Sequence, residues 1–230
     1  MTGMSASRPP AGRPFVSACL AYAFLGLAFV SAAGATHQLP RRDDTASGTR
    51  RAVETLLATA NLGRGWAADP PPNPPHIISA CRGRLDPDET DLVEVGTSSA
   101  FFNNGPNVLM QTVSVYRSLF DAQAAWSRTI AASPIECMRT TLAHDRITPG
   151  KGEELTSLSG VTAYRVVGHY AVRGRNVAMY FDQLLLHRGR MSTRVFLTSY
   201  MHPFSRSFEL KLERALIQRL TARTARTPVA

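Results

Sequence analysis

One stretch, Val108 to Cys137, limits what this chain can fold into more than any other. In VLMQTVSVY, Leu109, Val113 and Val115 fall on one face of an extended strand and Thr112 and Ser114 on the other. Arg117-Ser118 turns the chain, and Leu119, Ala122, Trp126 and Ile130 then recur at spacings of three and four, the stripe of an amphipathic helix. Pro134 opens a further short helix that carries Cys137. A strand followed at once by its own covering helices calls for a layered fold in which helices pack on a sheet.

The flanking segments supply the rest of that sheet. Val93–Phe102 reads as a strand, and Asn103-Asn104-Gly105-Pro106 is a turn that pairs it with Val108–Tyr116 as a hairpin. Downstream, Tyr164, Val166, Tyr170 and Val172 alternate with Arg165, Val167, His169 and Arg173, which predicts a half-buried strand with a basic outer face. Asn176–His187 is more uniformly apolar, as a central strand covered on both faces would be, and Met191–Tyr200 follows after a turn at Arg188-Gly189. Pro203 and Ser205 open a closing helix with a stripe of Phe208, Leu212, Ala215, Leu216 and Leu220; Lys211 and Arg214 face water, and Arg219, Arg223 and Arg226 crowd its end. Thr49–Asn61 predicts an early helix, capped by Thr49 and ended near Gly63, with Val53, Leu56, Leu57 and Ala60 inward. Pro70–Pro75 reads as a stiff loop, Asp86–Asp91 as a solvated acidic turn, and Ile147–Gly160 as loop. The expected fold class is α+β, an antiparallel sheet flanked by helices.

The amino terminus speaks to compartment. Arg8 and Arg13 precede the apolar run Phe15–Ala35, which ends in the small residues Ala33 and Ala35; this is the pattern of a secretory signal peptide cleaved after Ala35. The alternative is an uncleaved membrane anchor, since about 20 apolar residues span a bilayer. The expected organisation is a signal peptide over 1–35, a flexible tether over 36–48, one α+β domain over 49–226 and a tail over 227–230. Loss of the leader discards Cys19 and leaves Cys81 and Cys137, which in an exported protein predicts a disulfide. Closing that loop would stabilise the fold by roughly 4 kcal/mol.

Composition and motifs exclude more than they assign. Two cysteines do not make a four-ligand structural zinc site, and none of the six histidines stands in a metal-binding spacing. There is no nucleophile elbow, phosphate loop or dinucleotide fingerprint. No catalytic residue, metal ligand or cofactor site is therefore assigned. Asp182 sits within a strand, and its reading is that of an exposed or hydrogen-bonded strand carboxylate. The formal charge is +9, and Lys151 and Lys211 are the only lysines, so the basic character is that of arginine. Arg165, His169 and Arg173, at spacing four on one strand, are the candidate anion-binding face, with Arg175, Arg188, Arg190 and Arg194 on the adjoining turns and strand. Nucleic acid is not the expected partner, because no RNA-recognition signature is present.

A short helix ending in Leu62-Gly63-Arg64-Gly65-Trp66, then a cysteine, then Val113-Ser114-Val115-Tyr116, then an alanine-rich helix with Trp126 and a second cysteine, resembles secreted actinobacterial proteins. The pattern is similar to the extracellular sensor domain of mycobacterial serine/threonine kinases and to related cell-envelope lipoproteins, over roughly Thr49 to Arg223. The resemblance implies an α-β sandwich of the PsbP-like kind and a ligand-binding role. The kinase sensor domains carry two disulfides, whereas this chain can make one. The expectation is an exported, monomeric, non-catalytic binding or sensor-like domain for an anionic or lipidic envelope ligand, touching membrane only through an uncleaved leader. The alternatives are a secreted hydrolase whose site converges from loops and an envelope protein-interaction module.

Overall fold

The computed structural model describes residues 39–70, 88–172 and 174–224. Chain order is β1 (Arg41–Arg42), α1 (Ala46–Thr55), α2 (Thr59–Leu62), β2 (Ala67–Asp69), β3 (Val93–Asn104), β4 (Asn107–Tyr116), α3 (Leu119–Ala131), α4 (Pro134–His144), β5 (Thr148–Leu155), β6 (Val161–Val172), β7 (Arg175–Arg188), β8 (Met191–Tyr200) and α5 (Arg206–Thr224). The strands form one sheet in the order β1-β3-β4-β8-β7-β6-β5, with β2 also paired to β3. Every pairing is antiparallel except β1 with β3. The protein is thus a mixed α/β structure built on a mostly antiparallel sheet.

Helices cover both faces of the sheet. On one face α1, α2 and α5 pack over Leu109, Val113, Ala163, Leu184, Val195 and Leu197, against which α5 sets Leu212, Leu216 and Leu220. On the other, α4 contributes Cys137, Met138 and Leu142 over Tyr164, Val166 and Leu185, while Trp126 and Ile130 of α3 lean on the same cluster. Alternation explains this two-sided cover. Leu184 and Leu186 of β7 belong to the α5 face and Leu185 to the α4 face, so the apolar run read as a central strand is buried on both sides.

Several segments depart from the reading of the sequence. The expected tether over 36–48 joins the fold from Arg41 onward: Arg41 N donates to Leu92 O (2.9 Å), Asp43 N to Glu94 O (2.8 Å) and Thr45 N to Val95 O (2.8 Å). Thr45, not Thr49, caps α1, its Oγ1 accepting from Gly48 N at 3.0 Å. The inward face of α1 is Gly48, Ala52 and Thr55, while Val53 is 52% exposed. Glycine decides this, because a Cβ on Gly48 would lie 2.1 Å from Val95 O and one on Gly96 would lie 2.2 Å from Gly48 C. The first helix therefore rides backbone to backbone on β3, a contact invisible to a search for large apolar residues. It stops at Leu56 because the next amide, Leu57 N, donates to the buried Gln111 Oε1 (2.7 Å). Gln111 Nε2 in turn donates to Thr193 Oγ1 (3.1 Å). Arg219, expected to sit at the end of its own helix, instead donates to the carbonyls of Glu54 and Leu56 and to Asn61 Oδ1, and so caps α1.

Two further differences lie nearer the edges. Leu119 does not face the core but is 65% exposed, as is its neighbour Phe120 at 77%; the inward positions of α3 are Ala122 and Ala125. The segment read as loop over Ile147–Gly160 contains β5, an edge strand with a register shift between Pro149 and Gly152. Prolines, glycines and charges conceal its period, and edge strands use these devices against further pairing. No described helix is long and apolar enough to cross a membrane. The leader over 1–35, with its Ala33 and Ala35 cleavage signal, the tail over 227–230 and Cys81 lie outside the described residues.

Candidate ligand-binding faces

The arginine proposed as a surface ligand for anions is engaged internally. Arg165 stands on β6 directly across from Asp182 on β7, on the face that α5 covers. Its Nε donates to Asp182 Oδ1 (2.6 Å) and its Nη2 to Asp182 Oδ2 (2.8 Å), a bidentate pair. Nη2 also donates to Glu209 Oε1 of α5. Arg206, one turn earlier, donates through Nη1 to Glu209 Oε2 and to Glu213 Oε1, both at 2.9 Å. Glu213 Oε2 accepts from Leu158 N (2.7 Å), which ties in the β5–β6 loop. Asp182, Glu209 and Glu213 are each 1% exposed or less. Burial pushes the Asp182 carboxyl up to about 6, against the pull of the Arg165 guanidinium; the neighbouring Glu209 adds to the rise.

Of the three residues expected to share a basic surface, Arg165 is thus a buried brace, 12% exposed at its side chain. His169 has the parity of Arg165 but is exposed, beyond the brace. Arg173 lies outside the described residues. What the sequence could not reveal is that three glutamate and aspartate side chains from β7 and α5 converge on Arg165 and Arg206, since they are distant in the chain. Glu209 and Glu213 were hidden on the inward side of a helix whose apolar stripe occupies the same face.

The opposite face is different in kind. Trp126 of α3 stacks on His187 of β7, ring centroids 5.8 Å apart at 22°. Phe181, Phe196 and Tyr200 are partly buried against the same cluster. Gln183 pairs in register with Phe196 and Tyr164, which places it on this aromatic face; it is 1% exposed, and its Oε1 is buried without a hydrogen-bond partner. His187 Nε2 is likewise buried and unpartnered. Burial lowers the His187 pKa, and a hydrogen bond to the Gly189 backbone opposes that shift, so the ring is neutral near pH 7. With one ring N–H given to that backbone, Nε2 is left as an acceptor. Gln183 and His187 are four residues apart on one strand, about 13 Å along it. Leaving two acceptors dry is costly, about 1–3 kcal/mol each, unless something donates to them.

A third feature lies at the start of α5. Trp66 stacks on Phe208 (5.8 Å, 6°) and on Phe204 (6.1 Å), so the Leu62–Trp66 motif serves to seat α5. Cys137 is fully buried, its Sγ 3.0 Å from Ala132 O. Among the described residues, no group of three or more His, Cys, Asp or Glu side chains is placed to hold a metal ion.

Comparison with known proteins adds little to this geometry. No family model matches the chain, and no curated protein does. Among solved structures, a protein of unknown function, PA94 from Pseudomonas aeruginosa, aligns with 58% of this chain and 85% of its own, at 14% identity. Its TM-score of 0.24 is too low to carry an argument about fold or function.

Proposed function

We propose that this protein is an exported, non-catalytic binding domain of the cell envelope, a PsbP-like α-β sandwich whose ligand is lipidic rather than anionic. The observation that carries the reading is the pair of buried, unpartnered acceptors, Gln183 Oε1 and His187 Nε2, which lie beneath partly buried aromatic rings that would part to admit a ligand. A largely apolar lining with a few placed polar groups is what small-molecule sites are made of. Two acceptors select an apolar molecule that carries hydroxyl or amine donors. An anion is disfavoured there, and Arg165 is already neutralised by Asp182 and Glu209. Asp182, whose raised pKa would recommend it to the secreted-hydrolase alternative, is fully buried and accepts two hydrogen bonds from Arg165. A substrate would have to displace α5 to reach it. Export, a leader cleaved after Ala35 and a Cys81–Cys137 disulfide belong to the same proposal, and the full burial of Cys137 accords with the last of these.

Binding can be tested by titrating the protein with a long-chain alcohol, and separately with the matching carboxylate, while following tryptophan fluorescence. The alcohol should bind and the carboxylate bind more weakly. Gln183→Leu should weaken alcohol binding about tenfold, the worth of one hydrogen bond of about 1–1.5 kcal/mol. Equal binding of both probes, or no effect of Gln183→Leu, defeats the assignment. The mass of the natively produced protein tests export: the expected product begins at Thr36 and gains two hydrogens on reduction.

A further inference from the structure

The braced cluster under α5 has more acid than base. Three carboxylates, Asp182, Glu209 and Glu213, meet two guanidiniums, Arg165 and Arg206, and all three acids are 1% exposed or less. With every group ionised the cluster holds one uncompensated negative charge away from water, which is strongly unfavourable. The simplest relief is one bound proton. Asp182 is the group to hold it, for it and Glu209 both accept from the same Arg165 Nη2, which brings the two carboxyls together out of water. Two buried carboxyls gathered on one guanidinium nitrogen cannot both stay ionised cheaply, and one bound proton is the usual outcome.

We propose that Asp182, held beside Glu209, keeps a proton and that this proton clasps the first turns of α5 onto β6 and β7, so that acid tightens the clasp and its loss above neutrality loosens it. The charged and titratable neighbours from each packed element are few. From β6 come Arg165 and, further along the same face, exposed His169; β7 gives Tyr180, whose ring lies under the Arg165 guanidinium at 6.0 Å. From β5 comes exposed Glu153, in register with Arg165, and from α5 come Arg206 and Glu213. Lys211 and Arg214 of α5 are exposed. The element that would move is functional ground: the first turns of α5 carry Phe208, which with Phe204 holds Trp66. Release of the clasp therefore frees an aromatic surface on the face opposite Gln183 and His187.

The sign follows from linkage. A carboxyl whose pKa is raised on docking, from an ordinary value near 3.8 to about 6, favours the docked state fully below the lower value. That contribution is lost as pH rises through the upper one. Amide hydrogen exchange across residues 206–213, corrected for intrinsic rates, reads the opening directly. The expected result is opening about tenfold rarer at pH 5 than at pH 8. Asp182→Asn, which keeps a hydrogen-bonding amide without a charge, should abolish that ratio, whereas Glu153→Gln on exposed β5 should preserve it. A ratio near one in the native protein, or a full ratio in Asp182→Asn, overturns the proposal. Should Asp182→Asn fail to fold, carboxyl nuclear magnetic resonance of the native protein decides: a buried aspartate titrating near 6 supports the clasp, and all aspartates titrating near 4 refute it.

Discussion

Arg165→Leu is expected to destabilise the protein by about 3–5 kcal/mol, the usual result of removing one partner from a buried ion pair. The loss arises less from the missing attraction than from what stays behind. Asp182 loses both of its guanidinium donors and Glu209 loses one, and neither can reach water. Urea unfolding of the native and substituted proteins measures the effect. A second substitution gives it meaning: Arg165→Leu combined with Asp182→Leu removes both charges of the cross-strand pair and should recover much of the loss. Were Arg165 a solvated residue waiting for an anionic ligand, the single substitution would change stability by less than about 0.5 kcal/mol. That outcome would restore the basic-surface reading.

Gly96→Ala should rank next, at about 3 kcal/mol, the upper end of what overpacking costs when backbone has to move. The new Cβ would meet Gly48 C at 2.2 Å and Thr49 N at 2.3 Å, and neither atom can swing aside as a side chain could. Helix α1 must lift from β3, and with it go the Leu57 amide bond to Gln111 and the cap that Arg219 places on the helix end. Val53→Ala, on the exposed side of the same helix, is the control and should be nearly neutral. Comparable losses for the two variants, in thermal or urea unfolding, would mean that α1 is not held through its glycine.

These two sites mark where the sequence could be read and where it could not. Period-two and period-3.6 patterns located β4, β6, β7, β8 and α5, because each buries large apolar side chains at regular intervals, whereas turn and proline signals located β3 and α4, and the stripe that located α3 misplaced Leu119. The same logic failed for α1, where contact is made by a residue with no side chain, and for β5, where an edge strand carries Pro149, Gly150 and Gly152. Within the site, the parity of Arg165 and His169 was legible, but their fate was not: whether a face is solvent or helix depends on where α5 comes to rest. Gln183 and His187 were passed over for a related reason. In a run as apolar as Met179–Leu186, a glutamine looks like an interruption, and only the register with Phe196 shows that it is buried among aromatics. The buried acids Glu209 and Glu213 occupy i and i+4 of α5, a spacing that signals a shared face but not which face.

The borders of the sheet also bear on how copies of the chain can meet. On one side, β1 and β2 lie against the two ends of β3; on the other, β5 ends the sheet with a proline, a register shift and the charges of Lys151, Glu153 and Glu154. A sheet so hemmed offers a poor template for an incoming strand. At high concentration this guards against runaway fibre growth, and it leaves the exposed Leu119-Phe120 corner of α3 as the stickier part of the described surface.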